Sequence, residues 1–158
     1  NVWEDQIVLA TPQATTSGTT IDFTAIPAGT KKITVMLEGV SFSGSGAIDL
    51  TLGDVTSIET IGYVGSSFGA NSSPTPTYNT STTAFEISRA SVSANTGTCV
   101  LTLMDSSTNT WIANWNVADP AAVTISGAGS KSLTGELTRI QLSGGTFDAG
   151  KVNIQYSQ

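Results

Sequence analysis

The sequence predicts an all-β fold, a jelly-roll-like antiparallel β-sandwich, on the strength of three observations. Apolar residues mostly recur with a period of two, which is typical of strands that bury one face. Threonine, serine and glycine supply 61 of the 158 residues, and helical patterns with apolar residues three and four apart are nearly absent. Turn residues rich in Gly, Pro and Asn separate the alternating runs at short intervals, as in sandwiches and barrels.

About eleven runs are strand candidates, each with alternating or β-branched apolar residues between turn residues. In chain order they are residues 6–10, 20–24, 31–41, 47–53, 57–64, 83–88, 98–105, 111–117, 121–126, 133–143 and 152–156. The run 31–41 shows the pattern most clearly, because Ile33, Val35 and Leu37 alternate with less apolar neighbours. Such one-sided strands need a second layer to cover their apolar faces, which a sandwich provides.

We expect residues 1–158 to form one domain, since this length can close a hydrophobic core without disulfides or metals. Residues 65–82 interrupt the alternation with 18 residues that include two prolines and two isolated aromatics. A long stretch of this kind predicts a surface loop with a functional role. The chain opens at Asn1 with neither methionine nor a signal-peptide pattern, which suggests a processed protein or a piece of a longer one.

Composition excludes several kinds of site. Without histidine the chain has no Ser-His-Asp or Cys-His catalytic unit and no His-liganded metal, and Cys99 alone cannot form an intrachain disulfide. A net charge of −6 with six Lys and Arg argues against nucleic acid as a partner, and no apolar run is long enough for membrane insertion. No cofactor is indicated, and calcium has no EF-hand-type loop to bind it.

The twelve acidic residues are scattered along the chain, with no local signature of a catalytic pair. A glycosidase needs two carboxyl groups within ~5–9.5 Å of each other. We therefore interpret these residues as solvated acids at turns and strand edges, and we predict that the chain is not an enzyme.

Aromatic residues are the candidate sugar contacts, because the C–H faces of a pyranose pack on ring faces. Trp111 and Trp115 alternate with aliphatic residues on one strand face, which indicates the core. Phe68 and Tyr78 lie within residues 65–82 and Tyr63 stands at the entrance, so these three are the candidate glycan-binding residues; the alternative is that they pin the loop to the core. Burial is also predicted for Phe23, Phe85, Phe147 and the inert thiol of Cys99.

Two stretches of the chain carry a family resemblance. The first covers residues 23–36 and includes Ile26-Pro27, and the second covers residues 133–140 and 146–156, ending in FDAGKVNIQY. Together they resemble a module that recurs in virion structural proteins of tailed bacteriophages, often at the C-terminal end of tail fibres and spikes. The FDAG ending is the most specific part, whereas residues 65–82 match nothing assignable in that family.

The resemblance implies a β-sandwich located on the surface of the phage particle, as part of a tail fibre, tail spike or appendage. It further implies a homotrimer that contacts other virion proteins and attaches to a polysaccharide of the bacterial surface. The alternative function is a capsid decoration or assembly domain with no receptor-binding role. A polysaccharide-degrading enzyme has less support, because no β-helix repeat and no evident acid pair are present in the sequence.

Overall fold

A computed structural model of the chain describes residues 6–70, 76–89, 93–120 and 123–158. It contains two antiparallel sheets packed face to face, so the prediction of an all-β antiparallel sandwich is confirmed. None of the described segments is helical, and none therefore provides a helix long and apolar enough to cross a membrane.

The strands are numbered β1 to β13 in chain order. They are β1 Ile7–Leu9, β2 Gln13–Ala14, β3 Ile21–Phe23, β4 Lys32–Phe42, β5 Asp49–Gly53, β6 Tyr63–Ala70, β7 Thr77–Ser81, β8 Phe85–Glu86, β9 Asn95–Asp105, β10 Thr110–Asp119, β11 Val123–Ser132, β12 Arg139–Ser143 and β13 Phe147–Ser157.

Long-range pairing determines the topology of the sandwich. The large sheet has the order β1-β13-β4-β9-β10-β11-β6-β7, with β2 also paired to β13, and the small sheet has the order β3-β12-β5-β8. Strand β4 pairs with β13 in the large sheet, and the strands next to them in sequence, β5 and β12, pair in the small sheet. The chain thus crosses between sheets as a paired unit, which is the connectivity expected of a jelly-roll-like sandwich.

The core lies between the two sheets and contains the side chains that the alternating pattern placed there. Trp111, Ala113, Trp115 and Val117 all face inward from β10, as predicted. The predicted burial of four further side chains is also confirmed, namely Phe23, Phe85, Phe147 and Cys99. Burial raises the pKa of the Cys99 thiol above its usual value, which keeps the sulfur protonated and unreactive.

The FDAG segment, the most specific part of the family resemblance, has a structural role. Phe147 packs on Phe42 with ring centroids 4.8 Å apart, and the Asp148 carboxylate accepts a hydrogen bond from the Ser41 hydroxyl. Gly150 has φ +93°, and a Cβ there would lie 2.4 Å from the backbone of Gly39. Only glycine therefore allows the close approach of β13 to β4 at this irregularity in the register.

Two predictions about residues 57–82 are wrong. The predicted strand 57–64 contributes only Tyr63 and Val64 to β6, and the predicted surface loop 65–82 is largely the hairpin of β6 and β7. Residues 71–75 lie outside the described part of the chain. The hairpin shows no apolar alternation because, after Tyr63, its inward positions hold glycine, serine, threonine and asparagine instead of large apolar residues. Backbone pairing and not hydrophobic patterning defines these strands.

Candidate functional site

Tyr63, one of the three predicted contact residues, is not on the surface. Its side chain is 1% exposed and packs edge to face on Phe85, with ring centroids 5.0 Å apart. The Tyr63 hydroxyl accepts a hydrogen bond from the Leu52 backbone N–H at 2.7 Å and donates one to the Glu59 carbonyl at 2.9 Å. Tyr63 therefore pins the start of β6 to the small sheet and is corrected from a ligand contact to a core residue.

Phe68 and Tyr78, the other two predicted contact residues, are brought together on the surface. They are directly opposite each other on β6 and β7, so both side chains stand on the same face of the large sheet. Phe68 is 45% exposed and Tyr78 is 76% exposed, and the face they share points away from the core. The two aromatic residues that were predicted to be isolated in a loop are thus neighbours on two hydrogen-bonded strands.

The local sequence of β6 explains why Phe68 points outward. Glycines at 65 and 69 and Ser67 occupy the inward positions, whereas Val64, Ser66 and Phe68 occupy the outward ones. A Cβ at Gly69 would lie 2.8 Å from side-chain atoms of Ile125 and Val123, so a larger residue does not fit on the inner side. The small inner residues let β6 lie close to the core while its bulky side chains face solvent.

The aromatic pair continues across the sheet as a line of polar side chains. Reading the register from β9 to β7, the directly opposed residues are Thr98, Asn116, Ser126, Phe68 and Tyr78, which we call the aromatic row. The Ser126 hydroxyl donates to Asn116 Oδ1 at 2.5 Å, which turns the amide nitrogen of Asn116 away from Ser126 and leaves it to donate elsewhere.

A shallow depression of about 500 Å³ lies beside the aromatic row. Its lining includes Ser66, Thr80 and Ala128, which belong to the next row of opposed residues, together with Phe68 and Tyr78. The depression forms because these neighbours are small whereas the two aromatic side chains are large. Among the described residues on the outer face of β9, β10, β11, β6 and β7, the charged side chain is that of Asp105, which is at the end of β9 opposite Thr110 and away from the aromatic row.

Four of the acidic residues form two pairs that sequence reasoning did not find. The Thr134 hydroxyl lies 3.0 Å from Asp54 Oδ2 and 2.8 Å from Glu59 Oε1, so the two carboxylates share its one proton, and the Thr134 backbone N–H donates to Glu59 Oε1 at 2.7 Å. Hydrogen bonds, first from the Thr56 side chain and then from backbone groups, lower the pKa of Asp54 to about 2. Burial alone would raise the pKa of Glu59, but hydrogen bonds from Lys131 and Thr134 outweigh it and hold this pKa below its usual value. Both carboxylates are ionised and engaged, so neither can supply a proton.

The second acidic pair is Asp49 and Glu86, which face each other across β5 and β8 in the small sheet. Burial, with a further contribution from the charge of Glu86, raises the pKa of Asp49 to about 6. Burial also raises the pKa of Glu86. No three His, Cys, Asp or Glu side chains among the described residues are grouped so that they could hold a metal ion. Neither acidic pair is on the face that carries the aromatic row.

Sequence reasoning identified Phe68 and Tyr78 but did not find Asn116 and Ser126. One signal was available for Asn116, because the outward positions of the 111–117 run carry two asparagines on a strand whose other face is apolar. Nothing local marked Ser126, one of 20 serines in the chain, as a neighbour of Phe68.

No protein-family model matches the chain, and no curated protein or solved structure matches it either.

Proposed function

We propose that this protein is a non-enzymatic attachment module that binds polysaccharide on the outer face of its large sheet. One observation carries the proposal, namely that Phe68 and Tyr78 stand exposed and side by side, in line with Asn116 and Ser126. Aromatic rings are buried in most domains, but these two are exposed to solvent. Because both are on paired strands, their positions are fixed before a ligand binds.

The chemistry of the aromatic row suits a sugar. A pyranose has C–H faces that pack on the electron-rich faces of aromatic rings, and it has hydroxyl groups around its edge. Phe68 and Tyr78 provide the ring faces, while the amide of Asn116 and the hydroxyl of Ser126 provide donors and acceptors. Sites of this kind combine apolar contact with a few placed polar groups, which gives orientation as well as affinity.

The biological setting that we propose follows from the family resemblance: a tail-fibre, spike or appendage domain of a phage particle that attaches to the bacterial surface as a homotrimer. A shallow, solvent-exposed site gives weak binding per chain. Three copies on one particle would raise the overall affinity through effective concentration without any new contact. A capsid decoration domain is the alternative, and it predicts no binding to polysaccharide at all.

The acidic residues support a binding role rather than a hydrolytic one. Asp54 and Glu59 are held as ionised acceptors by Thr134, and Asp49 and Glu86 belong to the small sheet. A glycosidase would need an acid and a second carboxylate on opposite sides of the bound glycosidic bond. The described outward residues of β11, β6 and β7, which surround the aromatic pair, include neither.

The test is binding to an array of bacterial lipopolysaccharides, capsular polysaccharides, dextran and mannan. We expect Phe68→Ala/Tyr78→Ala to lose binding by roughly tenfold or more, because the exposed rings make the central contacts. The matched control is Met104→Ala, which removes a side chain that is 64% exposed on the same face, three rows from the aromatic row. Tyr63 is left intact, since its replacement would perturb folding.

The free energy of unfolding of both variants should be within about 1 kcal/mol of that of the unmodified protein, because the removed side chains are exposed. Equal binding by the double variant and the control would contradict the site assignment. Light scattering tests the assembly separately: a mass three times that of one chain agrees with a homotrimer, and a stable monomer contradicts it while leaving the glycan site intact.

A further inference from the structure

We propose that a cavity on the inner side of the β6 and β7 hairpin is a second subsite for the polysaccharide, in which the guanidinium of Arg89 binds the carboxylate of an acidic sugar unit. The inference rests on the proposed function and specifies its ligand class. It follows from a cavity that is lined by polar residues of both sheets and by an arginine that pairs with no described carboxylate.

The cavity forms because the hairpin has a polar inner face. Ser67 and Asn79 are directly opposite each other on this face, and Gly69 and Thr77 are the next opposed pair on it. Strand β8, the last strand of the small sheet, packs against both strands of the hairpin. The inward residues of the hairpin are too small to fill the space with a close-packed core, and a cavity of about 190 Å³ remains.

The size and position of the cavity suit one sugar unit. Pockets that hold drug-sized ligands measure about 300–1,000 Å³, so this cavity takes a smaller group. Ser67, Tyr78 and Asn79 line both the cavity and the depression beside the aromatic row. Because β7 is the last described strand of the large sheet, only this one strand separates the two sites. A polysaccharide that packs on Tyr78 can therefore pass over the edge of β7 and place a neighbouring unit in the cavity.

Arg89 supplies the positive charge of the cavity. Its side chain is half-buried and forms neither an ion pair nor a hydrogen bond with a described residue. Glu86 lines the same cavity, but burial raises the pKa of its carboxyl group and no cation lowers it, which indicates that the two charges are not in contact. A half-buried guanidinium without a counter-charge loses hydration and gains no partner, so an anionic ligand is favoured there.

The other residues of the cavity favour a sugar acid as that anion. A guanidinium has a planar set of N–H donors that matches the two oxygens of a carboxylate through two parallel hydrogen bonds. Ser67, Asn79 and Glu86 provide further donors and acceptors for the hydroxyl groups of the same unit. The negative charge of Glu86 disfavours a unit with more than one anionic group. Uronic and sialic acids combine one carboxylate with several hydroxyl groups.

The first experiment compares acidic glycans with their carboxyl-reduced forms, which have the same linkages but no charge. The probes are oligomers of polygalacturonate, alginate and polysialic acid, each in both forms, and binding is measured by isothermal titration calorimetry. We expect the acidic form of at least one probe to bind roughly tenfold more tightly than its reduced form, because reduction removes a charge-assisted pair. High salt should narrow this difference.

The second experiment tests whether Arg89 is the partner of that carboxylate. Arg89→Gln should lower the affinity for the acidic oligomer by roughly tenfold and leave the affinity for the reduced oligomer unchanged. Arg89→Lys keeps the charge but not the planar donors, so its affinity should be intermediate. The matched control is Lys32→Gln, which removes one positive charge from an exposed position on β4. All three variants should keep the Tm of the unmodified protein, because neither side chain has an ion pair with a described residue to lose.

The outcomes separate this inference from the proposed function. An equal loss of affinity by Arg89→Gln for the acidic and reduced oligomers, or an equal loss by Lys32→Gln, overturns the role of Arg89. Tighter binding of dextran, mannan or a phosphate-linked teichoic acid than of every acidic glycan overturns the carboxylate. Both results keep the attachment site as long as binding depends on Phe68 and Tyr78. Failure of all these probes and of every bacterial polysaccharide to bind overturns both proposals.

Discussion

Gly127→Ala is the substitution for which the structure gives the sharpest stability prediction. Gly127 on β11 is directly opposite Trp115 on β10, and the indole of Trp115 lies across the position that a Cβ would take. That Cβ would be 2.2 Å from Trp115 Cε2 and Cζ2 and 2.5 Å from Nε1. The glycine lets β11 lie against the core, which in turn fixes its outward residues Ser126 and Ala128 at the candidate site.

The magnitude follows from the overlap and from the lack of room for the indole to move. Ordinary contact begins at 3.4 Å, so the Cβ would intrude by more than 1 Å. Trp115 is 2% exposed, and the ring of Phe85 lies 5.9 Å from it between centroids. Overpacking of a close-packed core costs about 1–3 kcal/mol and occasionally more, and we expect about 3 kcal/mol here. For a domain of this size, that lowers the Tm by about 6–12 °C.

The measurement is thermal and urea unfolding followed by circular dichroism, since a substitution beside an indole would distort a fluorescence signal. Gly44→Ala is the control, because no heavy atom lies within 4 Å of a Cβ at that position. We expect the control to be neutral or slightly stabilising, through the smaller entropy of the unfolded chain.

A second change tests the cause of the destabilisation. Trp115→Phe removes the atoms that the new Cβ would meet, and Trp115 Nε1 has no hydrogen-bond partner among the described residues, so no hydrogen bond is lost. The double variant Gly127→Ala/Trp115→Phe should lose less free energy of unfolding than the two single variants lose together. We expect the difference to exceed about 1 kcal/mol. If Gly127→Ala matched the Gly44 control, or if the two effects simply added, the steric argument would be refuted.

Two further predictions concern ionisable side chains. The pKa of Asp49 in the folded state is raised to about 6 from 3.8, so the folded state binds the proton more tightly and loses stability as the pH rises between these values. Asp49→Asn should therefore stabilise the protein at pH 7 by about 1–2 kcal/mol, after a reduction for solvent screening, and should have little effect below pH 3.8. Urea unfolding at both pH values measures the difference. Lys131, 4% exposed, donates to the carboxylate of Glu59 and to the Ser132 carbonyl. Lys131→Met should cost about 3 kcal/mol, because the shielded Glu59 carboxylate would keep its hydrogen bonds from Thr134 but lose its counter-charge. The double variant Lys131→Met/Glu59→Gln should recover most of that loss, and equal stability of the single and double variants would count against the pairing.

The fold class and most of the core could be predicted from local sequence patterns. In a strand, successive side chains point to opposite faces, so a period of two identifies the buried side without knowledge of the partner strands. This local rule was sufficient for Trp111, Trp115 and Cys99, whose burial the structure confirms. The rule worked because each of these residues has at least one apolar neighbour two positions away on the same strand.

The same rule failed for the hairpin of β6 and β7. Its inward positions hold small residues, because they lie close to Ile125 and the ring of Phe85, so the strands carry no apolar alternation to detect. Tyr63 was misplaced for a related reason: an aromatic residue at the boundary of an irregular segment gives no local sign of which way it faces. Its hydrogen bonds to Leu52 and Glu59 come from a different part of the fold.

The candidate site could not be predicted from local patterns, because it depends on pairing between distant strands. Asn116, Ser126, Phe68 and Tyr78 come from four strands, and their order across the sheet differs from their order along the chain. What brings them into one row is the register of β11 against β6 and of β6 against β7, which is fixed by backbone hydrogen bonds. Those bonds are the same for every residue type, so the sequence of a strand predicts which side chains share a face but not which side chains of another strand will stand beside them.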